Sequence, residues 1–266
     1  MSLFRGEKLT VALCPEQLGI ILRARRAGTL HELVPCASDG RRAWQVAVEA
    51  LENWLVTANV QRMRISIVLS NRFTRYVLLP WQNSYLTHEE EYAWMRVHFE
   101  AVYGDMEGWH ITADPGRYGQ TRIACAVPDE LVTRIRILGT ARRLTGGALV
   151  PYFVHSWNRW RGPGRAKELF GVAESEVLVI GCHGPKGWES LRHLLTQPTP
   201  GELSVMAARE AVLQGLPLDS RTRLHVPGSF CDAQAEVQQN ASVSWLALGT
   251  KGEAPALAMA RLVDTP

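Results

Sequence analysis

The chain has 266 residues, 46% hydrophobic and 21% charged, with 29 basic and 26 acidic residues for a formal charge of +3. That is a globular balance, with length enough for one large core or two smaller ones. The charge is too small to argue for a nucleic-acid partner, and the clusters Arg23, Arg25, Arg26 and Arg134, Arg136, Arg142, Arg143 read as solvated faces of strands or helices.

The cysteines, Cys14, Cys36, Cys125, Cys182 and Cys231, are odd in number and form no CxxC pair. This argues against a disulfide framework or a structural zinc and fits a reducing compartment. Residues 1–10 carry no apolar signal segment, and no run approaches the ~20 apolar residues that span a bilayer. A cytoplasmic protein is expected, one that a partner would hold if it works at the inner membrane.

In chain order, Leu9 to Cys14, Leu18 to Arg23 and Leu30 to Pro35 read as three strands joined by short turns. Residues 41–58 form a helix with Trp44, Val46, Val48, Leu51, Trp54 and Leu55 on its apolar stripe. Met63 to Leu69 is a buried strand rich in β-branched residues. Ser70-Asn71 turns the chain, and Phe73 to Leu79 is a strand closed by Pro80. Thr87-His88-Glu89-Glu90 matches a capping box and opens a helix that Gly104-Asp105 ends. Trp109 to Ala113 and Thr121 to Val127 form a hairpin, and Asp129 is placed to cap a helix carrying Leu131, Val132, Ile135 and Leu138. Ala148 to Tyr152 is a strand, followed by a short helix with Trp157 and Trp160.

Gly162-Pro163-Gly164 is the strongest boundary. After it Leu169 to Val172, Val177 to Cys182 and Ser190 to Leu195 read as strands, Glu202 to Leu213 as a helix, and Arg223 to Val226 and Ser242 to Leu248 as strands. Both halves thus read strand, strand, strand, helix, strand, without shared residues. The expected arrangement in each is an antiparallel meander followed by a parallel crossover. The expected division is a first lobe at 1–161, with an inserted subdomain at about 71–128, and a second, reduced lobe at 165–266.

Two copies of that order resemble the actin-like ATPase superfamily, and the position of the insert resembles the branch of the pilus assembly protein PilM and the GspL cytoplasmic domain. The stretches that carry the resemblance are Leu9-Thr10-Val11-Ala12-Leu13, Arg64 to Ser70, Arg75-Tyr76-Val77-Leu78-Leu79-Pro80-Trp81 and Val177-Leu178-Val179-Ile180-Gly181. The resemblance implies an α/β fold of two RNase H-like lobes with a small inserted subdomain in the first. It also implies two phosphate-binding hairpins, each with an Asp. Here the first reads Cys14-Pro15-Glu16-Gln17, without Asp-x-Gly, and Pro15 removes a backbone donor. In the second, Val179 stands at the Asp position and Pro185 removes another donor from the Gly181 to Gly187 stretch. Gly249-Thr250-Lys251-Gly252 is the nearest match to an adenosine-side loop.

No other catalytic motif emerges. Cys182-His183 in a glycine-rich turn has the residue types of a nucleophile pair, but adjacent strand residues face opposite ways. The histidines show no HExxH or HxH spacing, and there is no Walker loop or GxSxG elbow. The expectation is a non-enzymatic scaffold without cofactor or metal, part of a type IV pilus or type II secretion-like machine, that binds a membrane-protein tail or a motor ATPase. The alternative is an active actin-like ATPase or sugar kinase with atypical loops. By resemblance, the partner is a protein docking at the seam between the first lobe and its insert, where Asn71, Arg72, Arg75, Tyr76 and Trp81 lie; for each of these, packing inside is the competing reading. Trp157, Arg159 and Trp160 form a second candidate surface.

Overall fold

The computed structural model describes residues 7–24, 28–37, 42–84, 86–146, 148–161, 167–196, 199–217, 222–227, 243–248 and 253–264. The chain opens with β1 (Lys8–Leu13), β2 (Gln17–Ala24), β3 (Gly28–Pro35), α1 (Ala43–Thr57) and β4 (Arg64–Leu69). A 3-10 turn (Asn71–Phe73) then leads into the insert, made of β5 (Arg75–Leu79), α2 (His88–Tyr103), β6 (Trp109–Ala113) and β7 (Arg122–Pro128). The chain returns through α3 (Asp129–Ala141), β8 (Leu149–Pro151) and α4 (Tyr152–Trp160). The second half contains β9 (Glu168–Ala173), β10 (Val177–Gly184), β11 (Gly187–Leu195), α5 (Pro200–Leu213), β12 (Thr222–Pro227), β13 (Val243–Leu248) and α6 (Pro255–Asp264).

The two large sheets have matching topology. The first runs β3-β2-β1-β4-β8 and the second β11-β10-β9-β12-β13. In each, the first three strands pair antiparallel and the rest parallel. The strands at the middle of each sheet are covered on both faces, which is why β1 and β10 read as nearly continuous apolar runs. The insert is a separate antiparallel sheet, β5-β7-β6, with its own small core around Leu79, Met95, Phe99 and Ile111.

Local chemistry explains most boundaries. The α1 stripe is buried from Trp44 to Leu55. Thr87 and Glu90 form the capping box at the start of α2, and Gly104, at φ +76°, ends that helix. A second capping box, Thr199 with Glu202, opens α5. Asp129 does not cap α3: Pro128 is the N-cap, and Asp129 and Glu130 sit in the first turn, where the helix dipole favours them. The expected strand from Phe73 begins only at Arg75, because Ser70 accepts from the Arg72 amide and holds the 3-10 turn ahead of it.

Helix α6, for which the sequence offered no expectation, crosses from the second half to the first. It packs on β2 and β1, burying Ala256, Ala258, Met259, Ala260 and Leu262, on the face that carries Thr10, Ala12, Cys14, Gly19 and Ile21. Gly19 permits this approach, since a Cβ there would lie 2.1 Å from the Ala256 carbonyl oxygen. At its far end Asp264 accepts from Thr10 at 3.3 Å and pairs with Arg23 at 2.5 Å. Helix α4 makes the reciprocal move: its Phe153 and Trp157 pack at tilted and edge-on angles against Phe170 and Trp188 of the second half. Residues 165–266 therefore include a helix that completes the core of the first half. Among the described residues, no helix is long and apolar enough to cross a membrane.

Candidate functional site

In α/β sheets, ligands bind outside the carboxyl ends of the strands. Here that crevice lies between the ends of β1, β4 and β9. The matching topologies pair the β1–β2 turn, Cys14-Pro15-Glu16, with the β9–β10 turn, Glu174-Ser175-Glu176. This corrects the expected second phosphate hairpin. Val179 lies inside β10, and Gly184 to Gly187 form the next turn, which faces the insert. There Thr121 N donates to Lys186 O at 3.1 Å and Gln120 Nε2 to Pro185 O at 3.1 Å. Gly187, at φ +93°, lets the strands meet, since a Cβ would stand 2.4 Å from Thr121 O. The local apolar run Val177 to Gly181 was the stronger signal, but β9 opens the second sheet.

The crevice is filled by the protein's own groups. The Glu174 carboxylate accepts from Ser70 Oγ at 2.5 Å and from Asn71 N at 2.8 Å. Asn71 Oδ1 accepts from Tyr76 Oη at 2.6 Å and from Phe153 N at 3.2 Å. Glu176 pairs with Arg72 across the same junction. Burial raises the Glu174 carboxyl to about 7, against the lowering effect of the Ser70 and Asn71 bonds, with Glu16 adding a smaller upward push. Cys14, which opens the first turn, is buried, with Sγ 3.5 Å from Met259 Sδ, and burial pushes its thiol up. A phosphate in this crevice would meet a carboxyl from the second half and, at the first turn, a proline without an N–H.

Cys182 and His183 do not form a nucleophile pair. Cys182 is buried and its thiol is pushed up to about 11 by that burial, so it is protonated at neutral pH. The His183 ring packs against Trp157 and Trp188, with centroids 4.8 and 5.2 Å away, at a register shift in β10. Gly249 to Gly252 lie outside the described residues. Among those described, no group of three or more His, Cys, Asp or Glu is placed to hold a metal.

The seam beside the insert holds a cavity of about 780 Å³. Arg42 and Trp44 reach it from the start of α1, Arg72 and Phe73 from the 3-10 turn, and Arg75 from β5. The insert side contributes Glu107, Trp109, Asp129 and Glu130. The Arg75 guanidinium lies 3.9 Å from the Trp109 ring centroid and 5.1 Å from that of Tyr103. Salt bridges fix the seam: Arg134 pairs with Glu52 at 2.6 Å, tying α3 to α1.

Of the five residues read from the sequence, Arg72 and Arg75 line this groove. Asn71 and Tyr76 are buried behind it and brace the turn, with Tyr76 edge-on to Phe153 at 5.8 Å. Trp81 lies elsewhere, in a groove of about 360 Å³, with its ring tilted against Tyr118 at a centroid distance of 4.8 Å. Arg42, Trp44 and Trp109 were missed as site residues. Their elements were legible, but nothing local says that a helix start and an insert strand meet. Of the second candidate surface, Trp157 is inside the aromatic cluster and Trp160 is at its margin, 36% exposed.

No family model matches the chain, and no curated protein does. Solved structures do. The PilM–PilN type IV pilus biogenesis complex superposes with a TM-score of 0.62 at 12% identity, covering 96% of each chain. A Bacteroides thetaiotaomicron protein with an actin-like ATPase fold and unknown function gives 0.60 at 9% identity, over 96% of this chain and 95% of that one. The cytoplasmic domain of EpsL, an inner membrane component of the Vibrio cholerae type II secretion system, gives 0.52 at 12% identity, over 97% and 93%. With the repeated strand order and the insert after β4, these likenesses show that the chain has the actin-like ATPase fold.

Proposed function

We propose that this chain is a non-catalytic docking component of a type IV pilus or type II secretion-like machine. It receives a segment of a membrane-anchored partner in the groove between the first sheet and the insert. The observation that carries the reading is Glu174: a carboxylate from the second half sits in the crevice of an ATPase fold and is bonded to Ser70 and Asn71 of the first. A carboxylate that holds a metal over phosphates must face the open crevice, whereas Glu174 is buried and engaged by Ser70 and Asn71. The likeness to a PilM–PilN complex and to the EpsL cytoplasmic domain supports the choice of machine.

The test has two arms on the full chain. Calorimetry with Mg·ATP at high protein concentration is expected to give no binding heat; saturable heat overturns the non-catalytic reading. A photo-crosslinking residue at Asp129, on the groove, is expected to capture an inner-membrane pilus or secretion component in native cells, whereas one at Val212, exposed on α5, does not. Equal capture from both positions, or none, overturns the docking reading.

A further inference from the structure

The groove is electrically polarised. Its first-sheet side presents Arg42 and Arg72, and its insert side Glu107, Asp129 and Glu130. One of these charges is already matched, Arg72 by Glu176, and Asp129 has the His110 ring 4.0 Å away. No ion pair reaches Arg42, Glu107 or Glu130 among the described residues. The N-terminus of α1, beside Arg42, has no side-chain cap and no acid in its first turn, so its dipole adds to the positive side. The start of α3, by contrast, carries Asp129 and Glu130 and is already compensated. Trp44, Phe73 and Trp109 supply apolar surface to the groove, with Arg75 held over Trp109. A uniformly acidic or basic segment would satisfy one side and be repelled by the other.

We infer that the segment received here is extended and carries one acidic and one basic side chain at neighbouring positions, the acid toward Arg42 and the start of α1 and the base toward Glu107 and Glu130. An extended chain sends successive side chains to opposite sides, so adjacent residues of opposite sign meet both sides at once. The inference rests on the groove being the docking site.

The experiment selects a displayed random octapeptide library on the full chain and on three exposed-site variants, Arg42→Glu, Glu130→Lys and Thr133→Trp, the last placed to fill the groove. The expected result is enrichment of peptides with Asp or Glu beside Lys or Arg, abolished by Thr133→Trp. Affinity for the enriched peptides is expected to fall roughly tenfold on either charge reversal, with the acidic preference lost on Arg42→Glu and the basic preference on Glu130→Lys. Peptides that depend on an open groove but show no opposite-charge pair overturn the inference and leave the docking reading standing. No enrichment, or enrichment indifferent to Thr133→Trp, overturns both.

Discussion

Replacing Glu174 with Gln tests the crevice directly. The carboxyl has an ordinary value of 4.5 and is raised to about 7 in the fold, chiefly by burial. Below the ordinary value it is protonated both folded and unfolded, and costs nothing. Between the two values the folded state binds more protons than the unfolded one, so this group's contribution to stability falls as pH rises. Above about 7 the loss is complete, at about 3 kcal/mol from ~1.4 kcal/mol per pH unit. A Gln side chain is neutral throughout. Its carbonyl can accept from Asn71 N, and its amide can donate to Ser70 Oγ once that hydroxyl turns. The difference in stability, variant minus wild type, is therefore expected to rise by about 3 kcal/mol between about pH 4.5 and about pH 8. In thermal melts across that range this corresponds to a relative gain in Tm of roughly 6–10 °C. Other titrating groups are common to both proteins and cancel in the difference. If the two melting curves run parallel from pH 4.5 to pH 8, Glu174 is not a desolvated carboxyl and the reading of the crevice fails.

Three further outcomes follow from packing. His225 is fully buried, neither ring nitrogen has a hydrogen-bond partner in the fold, and burial lowers it to about 3. Protonation then favours the unfolded state as pH falls below 6.5, so His225→Leu is expected to gain about 1–3 kcal/mol at neutral pH and more in acid, read from melts at both. Gly19→Ala would press a methyl onto the Ala256 carbonyl and is expected to cost about 3 kcal/mol, with α6 becoming protease-sensitive before the rest of the chain. Tyr76→Phe leaves Asn71 Oδ1 with only the Phe153 amide and is expected to cost about 1–2 kcal/mol in chemical denaturation, while crosslinking from the groove persists because Tyr76 does not line it.

The elements were legible where one local rule decides them. The α1 stripe, the Thr87–Glu90 capping box and the apolar runs of β1, β4 and β10 fall where periodicity and capping put them. The fold was legible because two copies of one strand order leave few topologies open. The site was only half legible. Arg72 and Arg75 follow a turn that the sequence marks, so they could be named. That Asn71 and Tyr76 would turn inward depends on Glu174 and Phe153, about a hundred and about eighty residues away, and no local pattern carries such a contact. Helix α6 had its own signal, Pro255 followed by an alanine-rich apolar stretch, but it follows Gly249 to Gly252, which drew the reading toward a loop.

The reciprocal docking of α4 and α6 sets a timetable for the newborn chain. As the ribosome extends it, β1 and β2 emerge first, yet the helix that covers their shared apolar face is made more than 230 residues later. Until then Ala12, Cys14 and Ile21, on the face of Thr10 and Gly19, lack the helix that covers them in the finished protein. A chain stopped at the Gly162–Gly164 boundary would carry an exposed apolar sheet face and α4 without the Phe170 and Trp188 on which it rests. Each half leans on a helix from the other, so a lesion in the last helix is felt at the first strand.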